Sequence, residues 1–448
     1  MRKIFKELNV KNLLAIALPI SVQSLIQSFL GMIDQVMIGQ LGESTVAAVS
    51  LGGRPGFILI YTLSGITAAA SIFASQYEGA GDKSRHAQVM RSTIFGCLIL
   101  ALPFFLASVF IPEVLLKIFT SDAAVISSGI PYLRICSLSY IPLIFIMACS
   151  AILRSTGKAN IPMITGIVAV ILNTGLNAVL IFGLLGFPAF GVEGAAVATV
   201  ISYIIQAIIL VIYMQLKSHN GSVLSALKVR CPKDFIWAFF TTALPAIGNE
   251  LLWAVGDAGY TAIYGRMGTE QLAAMTLTFP IQGLTVGFFS GLSAAAGIII
   301  GSFLGGEKTE GAYTASWDFF KLCIIGCVAM GAMIIVGSGL YVGFYNVSEE
   351  VRLLAKHLLV IFAFFLWVKV SNMVMLGGVL RSGGETKYIL YLDVLGTWGI
   401  GIPLGILGAF VFKFDIKIIY ILISIEEIVR LALGLVRVKS RKWMKKLA

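Results

Sequence analysis

Apolar stretches long enough to cross a lipid bilayer alternate with short polar breaks along the whole chain. A spanning helix needs about 20 mostly apolar residues. Twelve segments fit that length, near 13–38, 46–76, 92–112, 125–152, 161–184, 193–216, 236–264, 271–304, 318–344, 353–380, 388–412 and 417–437. Several run longer, which lets a helix tilt or continue past the bilayer. Lipid offers the backbone no hydrogen-bond partner, so each run must satisfy its own amides, and a helix does so. The pattern predicts an all-α polytopic membrane protein without a soluble domain. The longest polar break, KSHNGSVLSALKVRCPKDF at 217–235, falls near the midpoint.

The two sides of that break resemble each other. Ala17, Leu18, Pro19, Gly39, Gly42, Ala47 and Ala48 correspond, at one constant offset, to Ala243, Leu244, Pro245, Gly265, Gly268, Ala273 and Ala274. LRSTG at 153–157 is echoed by LRSGG at 380–384, an offset larger by a single position. Six spans per half return the chain to its starting side, so the repeat is parallel, with its pseudo-two-fold along the membrane normal. The expected organisation is a six-helix lobe over 1–216, a cytoplasmic linker over 217–235 and a second six-helix lobe over 236–448. Pro19 and Pro245 take equivalent places in the first span of each half. Each removes a backbone donor and is expected to kink its helix.

Composition supports the membrane reading: 58% of residues are hydrophobic and 12% charged, against about 25% charged in soluble domains. The net charge of +11 is unevenly placed. With twelve spans, 22 of the 33 Lys and Arg fall on the side of the termini and 5 on the opposite side. Positive residues stay inside, so both termini are expected in the cytoplasm and the chain in the plasma (inner) membrane. The basic ends suit anionic headgroups rather than nucleic acid. Of six cysteines, Cys323 and Cys327 share a helix face, but no His joins them, and no metal site is expected. No G-x-x-x-x-G-K-[ST] occurs, so ATP is not expected to drive this chain directly. The three His and the scattered acids offer no enzyme constellation, and no cofactor or catalytic residue is expected. Nothing calls for a second copy, and a monomer is expected.

Polar residues inside apolar spans carry the candidate chemistry. Asp34 lies near the far end of the first span. A carboxylate there is costly unless paired, hydrated or protonated, and such residues mark functional sites. Asn173 and Asn177, four apart, share one face of the fifth span, and Thr199 adds a hydroxyl from the sixth. Their oxygens suit a cation or a protonated Asp; an interhelical hydrogen bond is the structural alternative. In the second half Glu250 and Asp257 are two turns apart on the seventh span, Lys369 lies in the tenth and Asp393 in the eleventh. An interior Lys wants a carboxylate, and Lys369 is expected to pair with Glu250, Asp257 or Asp393. Glu426, Glu427 and Arg430 have the spacing of a local pair on the last span.

Five stretches carry a family resemblance: Asp34-Gln35-Val36-Met37-Ile38-Gly39-Gln40-Leu41-Gly42, Gly79-Ala80-Gly81-Asp82, Leu153-Arg154-Ser155-Thr156-Gly157, Gly191-Val192-Glu193-Gly194-Ala195-Ala196-Val197-Ala198-Thr199 and Leu380-Arg381-Ser382-Gly383-Gly384-Glu385-Thr386. Together they resemble the multidrug and toxic compound extrusion (MATE) transporters. The resemblance implies an antiporter coupled to a proton or a sodium ion, exporting cationic or amphipathic drugs and metabolites by alternating access. It also implies that Asp34 is the principal cation-binding carboxylate. Where some relatives carry a second aspartate, this chain has Asn177, leaving one formal charge in that lobe. Some relatives place an acid on the seventh helix where Trp253 stands here. A lipid-linked oligosaccharide flippase of the same superfamily is the alternative, but it would need a strongly cationic cavity, and interior basic residues are few.

Overall fold

The computed structural model describes residues 10–39, 43–119, 123–217, 222–345 and 347–446. They are helical with short connections, and no strand occurs among them. Twelve rods follow one another: α1 (Val10–Gly39), α2 (Ala48–Ala80), α3 (His86–Phe110), α4 (Ala123–Ser137 and Tyr140–Ser155), α5 (Asn160–Phe182), α6 (Gly191–Lys217), α7 (Lys233–Met267), α8 (Thr269–Gly305), α9 (Thr309–Gly343), α10 (Glu349–Leu380), α11 (Thr386–Val411) and α12 (Ile416–Lys439). Nine of these, with α4 as a tenth span bent by 45°, are long and apolar enough to cross a membrane. In α1 the described apolar stretch is Leu13–Gln27. The last rod, α12, carries Glu426, Glu427 and Arg430 in its middle. Pro19 and Pro245 both lie inside unbroken helices.

The chain forms two compact units. One is Val22–Ile247; the other joins the residues up to Ser21 to Gly248–Ala448. Both changes of unit occur inside a helix, just after the proline, at equivalent positions of the repeat. Within the first unit α2 packs on α3 and α4, α4 on α3 and α6, and α5 on α6. Within the second, α8 packs on α9 and α10, α10 on α9 and α12, and α11 on α12. Adding six to each helix number turns the first set into the second, as a parallel duplication requires.

Turn conformations repeat as well. Gly157 and Gly384, closing LRSTG and LRSGG, have φ of 76° and 77°. Gly81 has φ 74°, and its counterpart in the second half is Glu307, with φ 60°. A side chain in this left-handed conformation costs about 1 kcal/mol, so the second copy keeps the turn despite losing the glycine.

The segment after α12 folds back on its own unit. Trp443 has no exposed surface and donates Nε1 to the carbonyl of Val438 at 3.1 Å. Its backbone passes so close to Gly383 that a Cβ there would collide with the Trp443 carbonyl. Arg437 and Lys445 hold the buried carboxylate of Glu385 at 2.6 and 2.5 Å, Lys446 reaches Glu307 at 2.6 Å, and Arg441 pairs with Glu310. Hydrogen bonding from Lys446 holds the Glu307 carboxyl below the usual carboxylate range. The strap therefore fastens the α8–α9 turn and the α10–α11 turn to the end of α12.

Candidate functional site

In the first unit Asn173, Asn177 and Thr199 meet. Helical spacing places Asn173 one turn before Asn177 on α5, and the packing of α5 on α6 brings Thr199 opposite. Thr199 donates its hydroxyl to the carbonyl of Ala195 at 3.1 Å, which orients its oxygen to accept from Asn173 Nδ2 at 3.4 Å. Asn173 Oδ1 in turn accepts from Asn177 Nδ2 at 3.3 Å. The result is a one-way chain of hydrogen bonds, Asn177 to Asn173 to Thr199 to Ala195, in a buried setting where Asn177 is 2% exposed. Such neutral oxygens can complete the shell of a cation or accept from a protonated carboxyl. The backbone of Asp34 belongs to α1; its side chain lies outside the described residues.

The second unit holds a larger network. Arg430 on α12, 8% exposed, donates Nη1 to Asp393 Oδ1 at 2.6 Å and Nη2 to Glu427 Oε2 at 2.9 Å. Asn372 Nδ2 bonds both the carbonyl and Oε2 of Glu427, each at 2.7 Å. Tyr260 on α7 donates to Glu426 Oε2 at 2.7 Å. Arg430 reaches Asp393 across α11 because residue 396 is glycine: a Cβ there would stand 2.5 Å from Arg430 Cδ. Buried charges persist only when paired and hydrogen-bonded, and one guanidinium here serves two carboxylates.

Two expectations are corrected. Lys369 forms no salt bridge with Glu250, Asp257 or Asp393. Glu250 is taken by Arg381 at 3.3 Å and Asp393 by Arg430. Lys369 instead lies within electrostatic range of Asp257 and Glu427. The planar fork of an arginine satisfies a carboxylate more completely than a lysine ammonium, and arginines hold Glu250 and Asp393, leaving Asp257 as the one expected partner in range of Lys369. Second, the local pair on α12 is present as Arg430 with Glu427, but Arg430 also bridges α12 to α11 through Asp393. Interior placement of Glu426, Glu427 and Arg430 was the signal for this network; their helical spacing masked it.

The LRS motif has the same task in both halves. Arg154 Nη2 donates to Gln23 Oε1 on α1 at 2.8 Å, and Arg381 Nη1 to Glu250 Oε1 on α7 at 3.3 Å, with the same sequence separation of 131 each time. The motif arginine thus ties the first helix of its half to the end of the fourth. Only the second copy is an ion pair. Gln23→Glu should complete the first and raise the midpoint of thermal unfolding in detergent, corresponding to about 1 kcal/mol. An unchanged or lower midpoint would show that Arg154 gains nothing from a carboxylate there.

Among the described residues no group of three or more His, Cys, Asp or Glu could hold a metal ion.

Comparison with known proteins places this geometry in context. The MatE family model matches residues 19–179 and again 245–407, once in each half. An uncharacterized transporter of Bacillus subtilis, YisQ, is 27% identical over 440 residues, covering 97% of this chain and 95% of its own. A probable multidrug resistance protein of Thermotoga maritima, NorM, is 24% identical over 446 residues, covering 97% of this chain and 93% of its own. Among solved structures, the outward-facing conformation of a multidrug resistance MATE family transporter of the MOP superfamily superimposes with a TM-score of 0.87, at 20% identity over 96% of each chain. The shared fold is twelve helices in two six-helix lobes.

Proposed function

We propose, from the premise that the chain belongs to the MatE family, that it exports small cationic or amphipathic compounds in exchange for an inward-moving cation, a proton or a sodium ion. The observation that carries this reading is the match of the family model to both halves of one continuous, duplicated helical chain. The multidrug-resistance relatives favour drugs and related metabolites as cargo. The exchange site is Asp34 with the Asn173, Asn177 and Thr199 group. Cation entry there favours one of two alternating states and weakens the hold on cargo, and linkage makes that effect reciprocal. The C-lobe charges around Glu250, Asp257, Lys369 and Asp393 are a second candidate region. The protein works as a monomer in the plasma membrane, with both termini in the cytoplasm and without ATP.

The test is transport of ethidium in proteoliposomes under an imposed proton gradient and then a sodium gradient. One gradient is expected to drive ethidium against its own concentration difference. Failure of both gradients, with the protein folded and inserted, would overturn the reading.

A further inference from the structure

We propose that Gly65 and Gly291 are positioning residues for transport: two matched seats, each gripping the first helix of the opposite half. The proposal rests on the exporter reading above for its functional consequence, though not for its geometry.

The first helix of each half does not stay with one compact unit. Residues of α1 up to Ser21 belong with Gly248–Ala448, and residues of α7 up to Ile247 belong with Val22–Ile247. A close glycine contact lies at each of these changes of unit. On α8, a Cβ at Gly291 would collide with the Ala17 carbonyl and the Ser21 hydroxyl and stand 2.9 Å from the Ser21 amide. The Ser21 hydroxyl donates to the Phe288 carbonyl, 2.5 Å away. On α2, a Cβ at Gly65 would stand 2.5 Å from both the Cα and the amide nitrogen of Ile247.

These are one contact made twice. Gly65 and Gly291 are equivalent positions of the repeat, and so are Ser21 and Ile247, at the same offset that relates Pro19 to Pro245. In each copy a glycine of the second span meets backbone of the other half's first span. A small residue on one helix is what lets another helix's backbone approach this closely in lipid. The colliding atoms are largely main chain, so no rotamer change can make room.

The seats come where the helices change unit. Ser21 and Ile247 are the last residues before each crossing. Beyond them α1 carries Asp34, and α7 carries Glu250, Asp257 and Tyr260. Each seat fixes the point from which a site-bearing segment departs. Lifting a first helix off its seat displaces that segment without touching any polar group in it.

The experiment uses the full chain with Gly65→Ala, Gly291→Ala and the double variant. Gly283→Ala and Gly337→Ala are controls, because nothing lies within 4 Å of a Cβ at either. In proteoliposomes each seat variant should lower maximal ethidium transport about tenfold, with KM within about twofold of wild type. Controls should match wild type. A second readout does not depend on transport. Single nitroxide labels are placed at Leu18 and Leu244, equivalent and exposed positions on the gripped segments, in a chain freed of its native cysteines. Gly291→Ala should mobilise the label at 18 but not at 244, and Gly65→Ala the reverse. Unchanged mobility at both labels would overturn the seats. The crossed mobility pattern with unaltered turnover in an active wild type would overturn their role in transport. A wild type driven by neither gradient would defeat the exporter reading, while the labels would still decide the seats.

Discussion

Asp34→Asn is expected to abolish ion-driven export while leaving a folded protein that still binds cargo. The substitution keeps size and removes the one formal charge of the proposed exchange site. The other members, Asn173, Asn177 and Thr199, are neutral and already linked in one hydrogen-bond chain. They can complete a cation's shell, but they carry no charge to attract it. Losing a charged ligand worth ~3 kcal/mol lowers cation occupancy, and with it coupled turnover, about 100-fold. Asn177→Ala removes one neutral member and should cost about tenfold at most. Ethidium transport under the driving gradient, with binding followed separately by tryptophan fluorescence, distinguishes these outcomes. Wild-type transport by Asp34→Asn would move the coupling site to the second unit.

The largest effect on stability is expected at Arg430. Arg430→Leu removes the guanidinium shared by Asp393 and Glu427 and leaves two half-buried carboxylates without it. Breaking a buried ion pair from one side costs about 3–5 kcal/mol, enough to depress thermal unfolding strongly or to prevent accumulation in the membrane. Removing the acids as well should reverse much of that loss. A triple variant with Arg430, Asp393 and Glu427 all changed to Leu should melt closer to wild type than Arg430→Leu does, because the guanidinium and the two carboxylates it holds are removed together. A triple variant as unstable as the single one would show that the network stabilises through packing rather than charge balance.

The contrast between these two regions shows what the sequence made legible. Ten of the twelve spans were readable because each is a long apolar run among the described residues, and hydropathy reports that directly. It is blind to direction, so 125–152 read as one span where the structure has two helices at 45°. Asn173, Asn177 and Thr199 were readable as a group because helical spacing fixes the first two, and sequential spans commonly pack together. Lys369 was misjudged because a partner depends on which helices are neighbours and what else competes. Arg430 and Arg381 reach Asp393 and Glu250 first, and spacing along α12 could not reveal that Arg430 faces α11. The pairing of Glu426 with Tyr260 joins helices far apart in the chain, beyond any local pattern. The change of compact unit inside α1 and α7 has no hydropathy signal, since a helix leaving one unit for another remains equally apolar.

The strap formed by Arg437–Lys446 bears on how the second half is built. Its partners Glu307, Glu310, Gly383 and Glu385 all precede it in the chain. During synthesis both turns must therefore emerge and wait, with Glu385 lacking its two cations and Gly383 uncovered, until translation reaches Trp443. The ribosome adds about 5–20 residues per second, so the interval between Glu385 and Trp443 lasts seconds, long compared with the microseconds in which helices form. Maturation of this half thus closes from its downstream end. A ribosome stalled short of Trp443 would display the unfastened turns to the quality-control proteases of the cell.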